Sequence, residues 1–179
     1  MNSPHIIHIM GASGSGTSTL GRALEAQQGY KWLDMDDIFW LPTNPPYHHK
    51  RPKSERLPYL TKAMKHHPRC VLSGCLCGWG GGILPQFDLV VWLQVPTDVR
   101  VARLFRREAQ EFGAQILPGG NMHDNFAEFL AYSARYDTGD TNMRSFALHE
   151  QWVRGLNCSV MVLDGTKPTD ELMTLVCSQ

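Results

Sequence analysis

Long apolar runs are missing from this chain of 179 residues. The longest, Leu89-Val90-Val91-Trp92-Leu93, falls far short of the span of about 20 residues that a membrane helix needs. Net charge is missing as well, since 17 Lys and Arg balance 17 Asp and Glu. That balance argues against a protein built to coat nucleic acid or an acidic membrane. The opening Met1-Asn2-Ser3-Pro4-His5 has neither the charged region nor the apolar stretch of a secretory leader. Cysteines number 5, an odd count without framework spacing, and read as free thiols in a reducing compartment. What remains is a cytoplasmic globular chain, 42% hydrophobic, of a length suited to one domain over residues 1–179.

The hydrophobic pattern alternates strand and helix. His5–Met10 reads as a strand, and Thr17–Gln28 as a helix with Leu20, Ala23 and Leu24 on one face and Gly29 as its stop. Tyr30–Leu33 is a second strand. Four prolines (Pro42, Pro45, Pro46 and Pro52) make Leu41–Pro52 a loop. A helix capped by Ser54 carries Leu57, Leu60 and Met64, with Pro58 tolerated in its first turn. Cys70–Ser73 and Leu89–Val95 are further strands, and Thr97 caps a helix with Val101, Leu104, Phe105 and Phe112 on its apolar side. Helices around Asn125–Tyr136 and Ser145–Arg154, a last strand Val160–Leu163 and a terminal helix complete the order. Such alternation predicts right-handed βαβ units and a parallel α/β sheet covered on both faces.

The chemistry concentrates at Gly11-Ala12-Ser13-Gly14-Ser15-Gly16-Thr17-Ser18, which occupies the frame G-x-x-x-x-G-K-[ST] between a strand and a helix. Its glycines let successive N–H groups converge on phosphate oxygens, and the helix N-terminus adds partial positive charge. Ser18 is placed to hold Mg²⁺, and Thr19 to donate to a further phosphate oxygen. Where the frame has lysine, however, the chain has Thr17. A cation about 4 Å from a phosphate is worth on the order of 4 kcal/mol at an effective dielectric near 20, roughly a thousandfold in rate. Either another cation supplies that charge or the chain binds nucleotide without efficient turnover. The available cations are Arg103, Arg106 and Arg107, then Arg135 and Arg144, and Lys50 and Arg51 in the proline-flanked segment.

These residues resemble those of the P-loop small-molecule kinases, the group of adenylate, shikimate and gluconate kinases. The nearest likeness is to bacterial adenylate-kinase-related proteins of the topology-modulation type. The resemblance implies a five-stranded parallel sheet with helices on both faces, an acceptor-binding insert at about 37–68 and an Arg-rich lid at about 103–145. It implies ATP and Mg²⁺ as cofactors, with a small-molecule acceptor. Trp32-Leu33-Asp34-Met35-Asp36-Asp37-Ile38 is similar to the D-x-D turn of shikimate and gluconate kinases. By that match Asp36 contacts the acceptor, and Asp34 or Asp36 lies near Mg²⁺ through water. The same turn also reads as an acidic helix cap.

Other matches are looser. Arg103 and Arg107 share a helix face and by resemblance belong to the lid, although such arginines often only solvate a helix. Thr166-Lys167-Pro168 is similar to the loop that packs on adenine. Arg51 falls in the acceptor segment. Trp79, beside the glycine triplet Gly80–Gly82, is placed either to stack on an acceptor or to fill the core. A strand-three carboxylate is absent, because Ser73 stands where one is expected, and the arginine by which adenylate kinases hold a nucleoside monophosphate is not evident. Cys75-Leu76-Cys77 has no second ligand pair at zinc spacing, and neither His48-His49 nor His66-His67 supplies one. The expectation is therefore a kinase that moves the ATP γ-phosphoryl group to a small molecule, with a nucleotide-binding regulator as the alternative. Membranes and nucleic acid are not expected as partners, and the oligomeric state is open.

Overall fold

A computed structural model describes residues 4–44 and 46–179; Met1–Ser3, part of the leader reading, and Pro45, part of the loop reading, lie outside them. Five parallel strands form one sheet in the order β2-β3-β1-β4-β5. They are β1 (Ile6–Gly11), β2 (Lys31–Asp34), β3 (Cys70–Ser73), β4 (Leu89–Gln94) and β5 (Ser159–Asp164). Because the central strands are covered on both faces, β3 is wholly buried and β1 and β4 nearly so. Alternate residues divide the core. Ile7, Ile9, Val71, Val91 and Leu93 pack with Leu20 and Leu24 of α1 (Thr17–Gln28). Met10, Leu72, Val90 and Trp92 pack on the other face with Met35, Leu60 and Met64.

The remaining helices are α2 (Met35–Phe39), α3 (Lys53–His66), α4 (Thr97–Phe112), α5 (His123–Ala134), α6 (Phe146–Val153) and α7 (Thr169–Cys177). Helix α1 has the predicted bounds and ends at Gly29 in the left-handed region, with φ 70°. Four local expectations are corrected. Ser54 does not cap α3 but lies inside it, and the cap position is Pro52. Pro58 lies inside α3, which begins at Lys53, so it is in the second turn and removes a ladder hydrogen bond there. Thr97 caps nothing; its hydroxyl donates to Asp137 and accepts from Arg100. Phe105 is 47% exposed, because the buried stripe of α4 runs through Arg100 and Leu104.

Arg100 itself has no exposed surface. Its guanidinium donates to Val95 O, Ser133 O, Thr97 Oγ1 and the Asp137 carboxylate, which satisfies the buried charge and ties α4 to the end of α5. Among the described residues, no helix is long and apolar enough to cross a membrane.

Candidate functional site

The carboxyl ends of β1, β2 and β3 face one crevice, the usual ligand side of an open parallel sheet. The loop from Gly11 to Thr17 stands over β1. Gly14 and Gly16 take φ values of 82° and 94°, which only glycine adopts without strain. The loop is clamped from behind: a Cβ on Gly14 would lie 2.6 Å from Arg100 O, and one on Gly11 2.8 Å from Leu93 O. Gly16 is different, since a Cβ there would meet no atom within 4 Å. It caps α1 with no side chain, so the first amides of that helix are free for an anion. The hydroxyl of Ser15 is buried without a partner.

Ser18 Oγ donates to Asp34 Oδ2 at 3.1 Å. Asp34 Oδ1 accepts from Asp36 N at 3.0 Å and so caps α2, which projects the half-buried Asp36 beyond it. Asp34 is in register with Ser73, and this explains the strand-three departure. The carboxylate that β3 lacks stands on the adjacent strand, while Ser73 Oγ accepts from the Trp32 indole at 2.8 Å. Ser18 and Asp34 thus supply the hard oxygen donors that suit Mg²⁺. Their geometry fits that ion, and the free amides and left-handed glycines fit a phosphate chain.

Burial raises the Asp34 carboxyl above its ordinary range, with Asp36 and Asp37 adding to the shift against the hydrogen bonds from Asp36 N and Ser18. A carboxylate with a raised folded-state pKa burdens the metal-free fold at neutral pH and ceases to do so as pH falls through that pKa. Asp34→Asn is therefore expected to raise the melting temperature at pH 7 without Mg²⁺, an advantage that shrinks on acidification. In the same variant, the Mg²⁺-dependent part of nucleotide affinity should be lost. Thermal melts against pH, with and without Mg²⁺, measure both effects.

The cation nearest the loop is Arg144. Its Nη1 donates to Ser13 Oγ at 3.2 Å, and its guanidinium lies within electrostatic reach of Cys75. Burial opposes its charge, but Cys75 and then Asp36 outweigh that cost, so the guanidinium is held firmly protonated. Tyr132 of α5 fixes the Arg144 backbone, its hydroxyl accepting from the amide at 2.9 Å. Arg103 instead points at backbone: Nη1 donates to Gly165 O at 3.0 Å and reaches Gly14 O at 3.5 Å. It joins the phosphate loop to the turn after β5. Arg107 is paired with Glu108, and Arg106 lines a shallow apolar groove between α4 and α5.

The Thr166-Lys167-Pro168 turn is shaped by Asp164, whose Oδ1 accepts from Thr166 N and Oγ1. Lys167 is paired with Glu171. Gly165 packs so closely that a Cβ would lie 2.9 Å from Ser15 O, which keeps this turn beside the phosphate loop. Arg51 donates to Ile38 O and covers the Tyr59 ring, at the far end of α2 from Asp34. Trp79 is only 9% exposed and donates to Cys75 O. It takes the core-filling role of the two weighed for it. Two residues drew no notice in the sequence. Tyr47, with φ 64°, lies within electrostatic reach of Asp36 and Arg107. His149, wholly buried on α6, reaches the Cys75 thiol. No local spacing marks either one.

Residues 7–125 match the family model described as AAA domain. The chain is 41% identical over 158 residues to the uncharacterized protein YqaC of Bacillus subtilis, covering 88% of this chain and 87% of that one. A cytidylate kinase of Thermococcus sibiricus is 32% identical over 114 residues, 58% of this chain and 57% of that protein. Among solved structures, a gluconokinase from Sinorhizobium meliloti aligns with TM-score 0.54 at 17% identity, covering 99% of this chain and 92% of the other. A shikimate kinase from Bacteroides thetaiotaomicron aligns with TM-score 0.56 at 14% identity, covering 97% and 99%.

Proposed function

Since the chain belongs to the AAA-domain family and has a P-loop nucleotide-kinase-like fold, we propose that it is an ATP-dependent kinase acting on a small-molecule acceptor. The observation that carries this reading is the convergence of Ser18, Asp34, Asp36 and Arg144 on one phosphate-binding loop. A loop serving only to hold nucleotide needs the amides and Ser18. It does not need a half-buried carboxylate beyond Asp34 or a cation within electrostatic reach of that carboxylate.

In this reading the amides of Gly14 to Ser18, with Thr19, cradle the phosphates, and the turn Thr166–Pro168 borders the base. Ser18, and Asp34 through water, would hold Mg²⁺, which would supply charge neutralisation to the phosphate chain. Asp36 orients the acceptor hydroxyl and takes its proton as the oxygen–Pγ bond forms and the bond from Pγ to the β,γ-bridging oxygen breaks. Arg144 stands in for the lysine that Thr17 replaces. Arg103 is a positioning residue that holds the loop against Gly165. Arg107 is exposed and free to exchange Glu108 for a phosphate when residues 103–145 close as a lid. Arg51 and the α2–α3 segment border the acceptor, within the insert at about 37–68.

Asp36→Asn tests the assignment. Turnover is expected to fall about a hundredfold, with ATP affinity changed by no more than a few-fold, because Asp36 acts on the acceptor and not on the nucleotide. Isothermal titration and an ADP-release assay separate the two quantities. Undiminished turnover would leave Asp36 as an acidic residue of the first turn of α2.

A further inference from the structure

The turn between β3 and the Gly81–Gln86 3₁₀ segment brings together side chains that the kinase reading leaves unused. Gly74 and Gly78, with φ of 117° and 78°, turn the chain at both ends of Cys75-Leu76-Cys77. The thiols of Cys75 and Cys77 and one nitrogen of His149 lie within 4.8 Å of one another. Cys75 Sγ is 3.7 Å from His149 Nε2. Zinc bonds of about 2.3 Å to sulfur and 2.05 Å to nitrogen at a tetrahedral angle place those two atoms about 3.6 Å apart. That edge is therefore already set.

The imidazole is held as a ligand imidazole usually is. His149 Nδ1 lies 2.8 Å from the hydroxyl of Tyr136, which accepts in turn from the Trp92 indole at 3.3 Å. This leaves Nε2 directed at the thiols, the outer-shell arrangement that fixes a metal-binding histidine. Cys75 and Cys77 are only half-buried, which gives an ion a way in, whereas His149 is fully buried. Sequence spacing offered no second ligand pair for this turn; the third side chain comes from α6, 74 residues from Cys75.

We propose that Cys75, Cys77 and His149 form a binding site for a soft divalent metal ion, zinc by its ligand chemistry, distinct from the Mg²⁺ position at Ser18 and Asp34. Two thiolates and one imidazole suit zinc and exclude Mg²⁺, which demands oxygen donors. With two thiolates a divalent ion makes a neutral cluster, so the adjacent Arg144 guanidinium does not repel it. Three protein ligands leave one tetrahedral position for water or a ligand oxygen. Arg144 donates to Ser13 and lies within electrostatic reach of Cys75, which places the ion near the loop.

The test uses the full chain with reduced thiols and no nucleotide, and so stands or falls apart from the kinase reading. Cobalt(II) titration is expected to give one ion per chain, with a thiolate-to-cobalt charge-transfer band and tetrahedral visible bands that zinc abolishes. Cys75→Ser with Cys77→Ser should remove the bands, while Cys177→Ser on α7 should keep them. Tyr136→Phe, which preserves the packed ring, should weaken zinc about tenfold by releasing His149; a chelator competition assay reads this even if the double variant folds poorly. Absence of the bands in zinc-free reduced protein, or their persistence in the double cysteine variant, would overturn the site.

Discussion

Valine in place of Gly16 is expected to abolish Mg·ATP binding while leaving the protein folded. Gly16 sits at φ 94° as the cap of α1, and a β-branched residue there carries strain of roughly 1–3 kcal/mol. The strain is affordable for the fold as a whole, since a Cβ would meet no protein atom within 4 Å. It is not tolerable for the site, because the loop can relieve it only by turning its amides away from the position a phosphate takes, and the added methyls fill the approach. Titration calorimetry should show no saturable binding, with the far-ultraviolet circular dichroism of the parent. A folded variant with undiminished affinity would remove the phosphate-cradle assignment.

Arg144→Ala is expected to lower turnover about a thousandfold, the equivalent of the roughly 4 kcal/mol that a cation near 4 Å contributes at moderate dielectric. ATP affinity should change by no more than about tenfold, because the β,γ-bridging oxygen gains its charge in the transition state and the fixed cation favours that state over bound ATP. Fold loss is a separate matter: the Arg144 backbone is held by Tyr132 and the following Ser145 caps α6, and neither contact uses the guanidinium. Adding Thr17→Lys to Arg144→Ala should recover at least tenfold in turnover, since lysine restores charge at the position the loop ordinarily uses. Single-turnover kinetics alongside binding isotherms distinguish these outcomes. Full activity in Arg144→Ala would leave Arg144 as a structural tie on the loop at Ser13.

Local pattern carried the elements well and the site only in part. The α1 boundaries and the β3 residues were readable because helix period, strand period and glycine stops act over a few neighbouring residues. The choice among seven cations was not. Arg144 and Ser13 are 131 residues apart, and their contact depends on how α5 and α6 cross the end of the sheet. Arg100 lies on α4 with Arg103, Arg106 and Arg107, yet its side chain is wholly buried, held by the Val95 and Ser133 carbonyls and by the exposed Asp137 carboxylate. The absent strand-three carboxylate became intelligible only from register, which sets Asp34 beside Ser73. His149 lay beyond sequence reasoning for the same reason, since nothing near Phe146–Val153 marks its partner as Cys75.

The most direct measurement is an ADP-release screen of the purified chain with Mg·ATP against nucleoside monophosphates, nucleosides, sugars and hydroxy acids, with mass spectrometry of the products. The account predicts that one acceptor class gains a phosphoryl group in step with ADP formation, well above the acceptor-free background, and that Asp36→Asn and Arg144→Ala both suppress it. Saturable ATP binding with no phosphorylated acceptor across the panel, and no ADP above background, would contradict it and leave a nucleotide-binding regulator in its place.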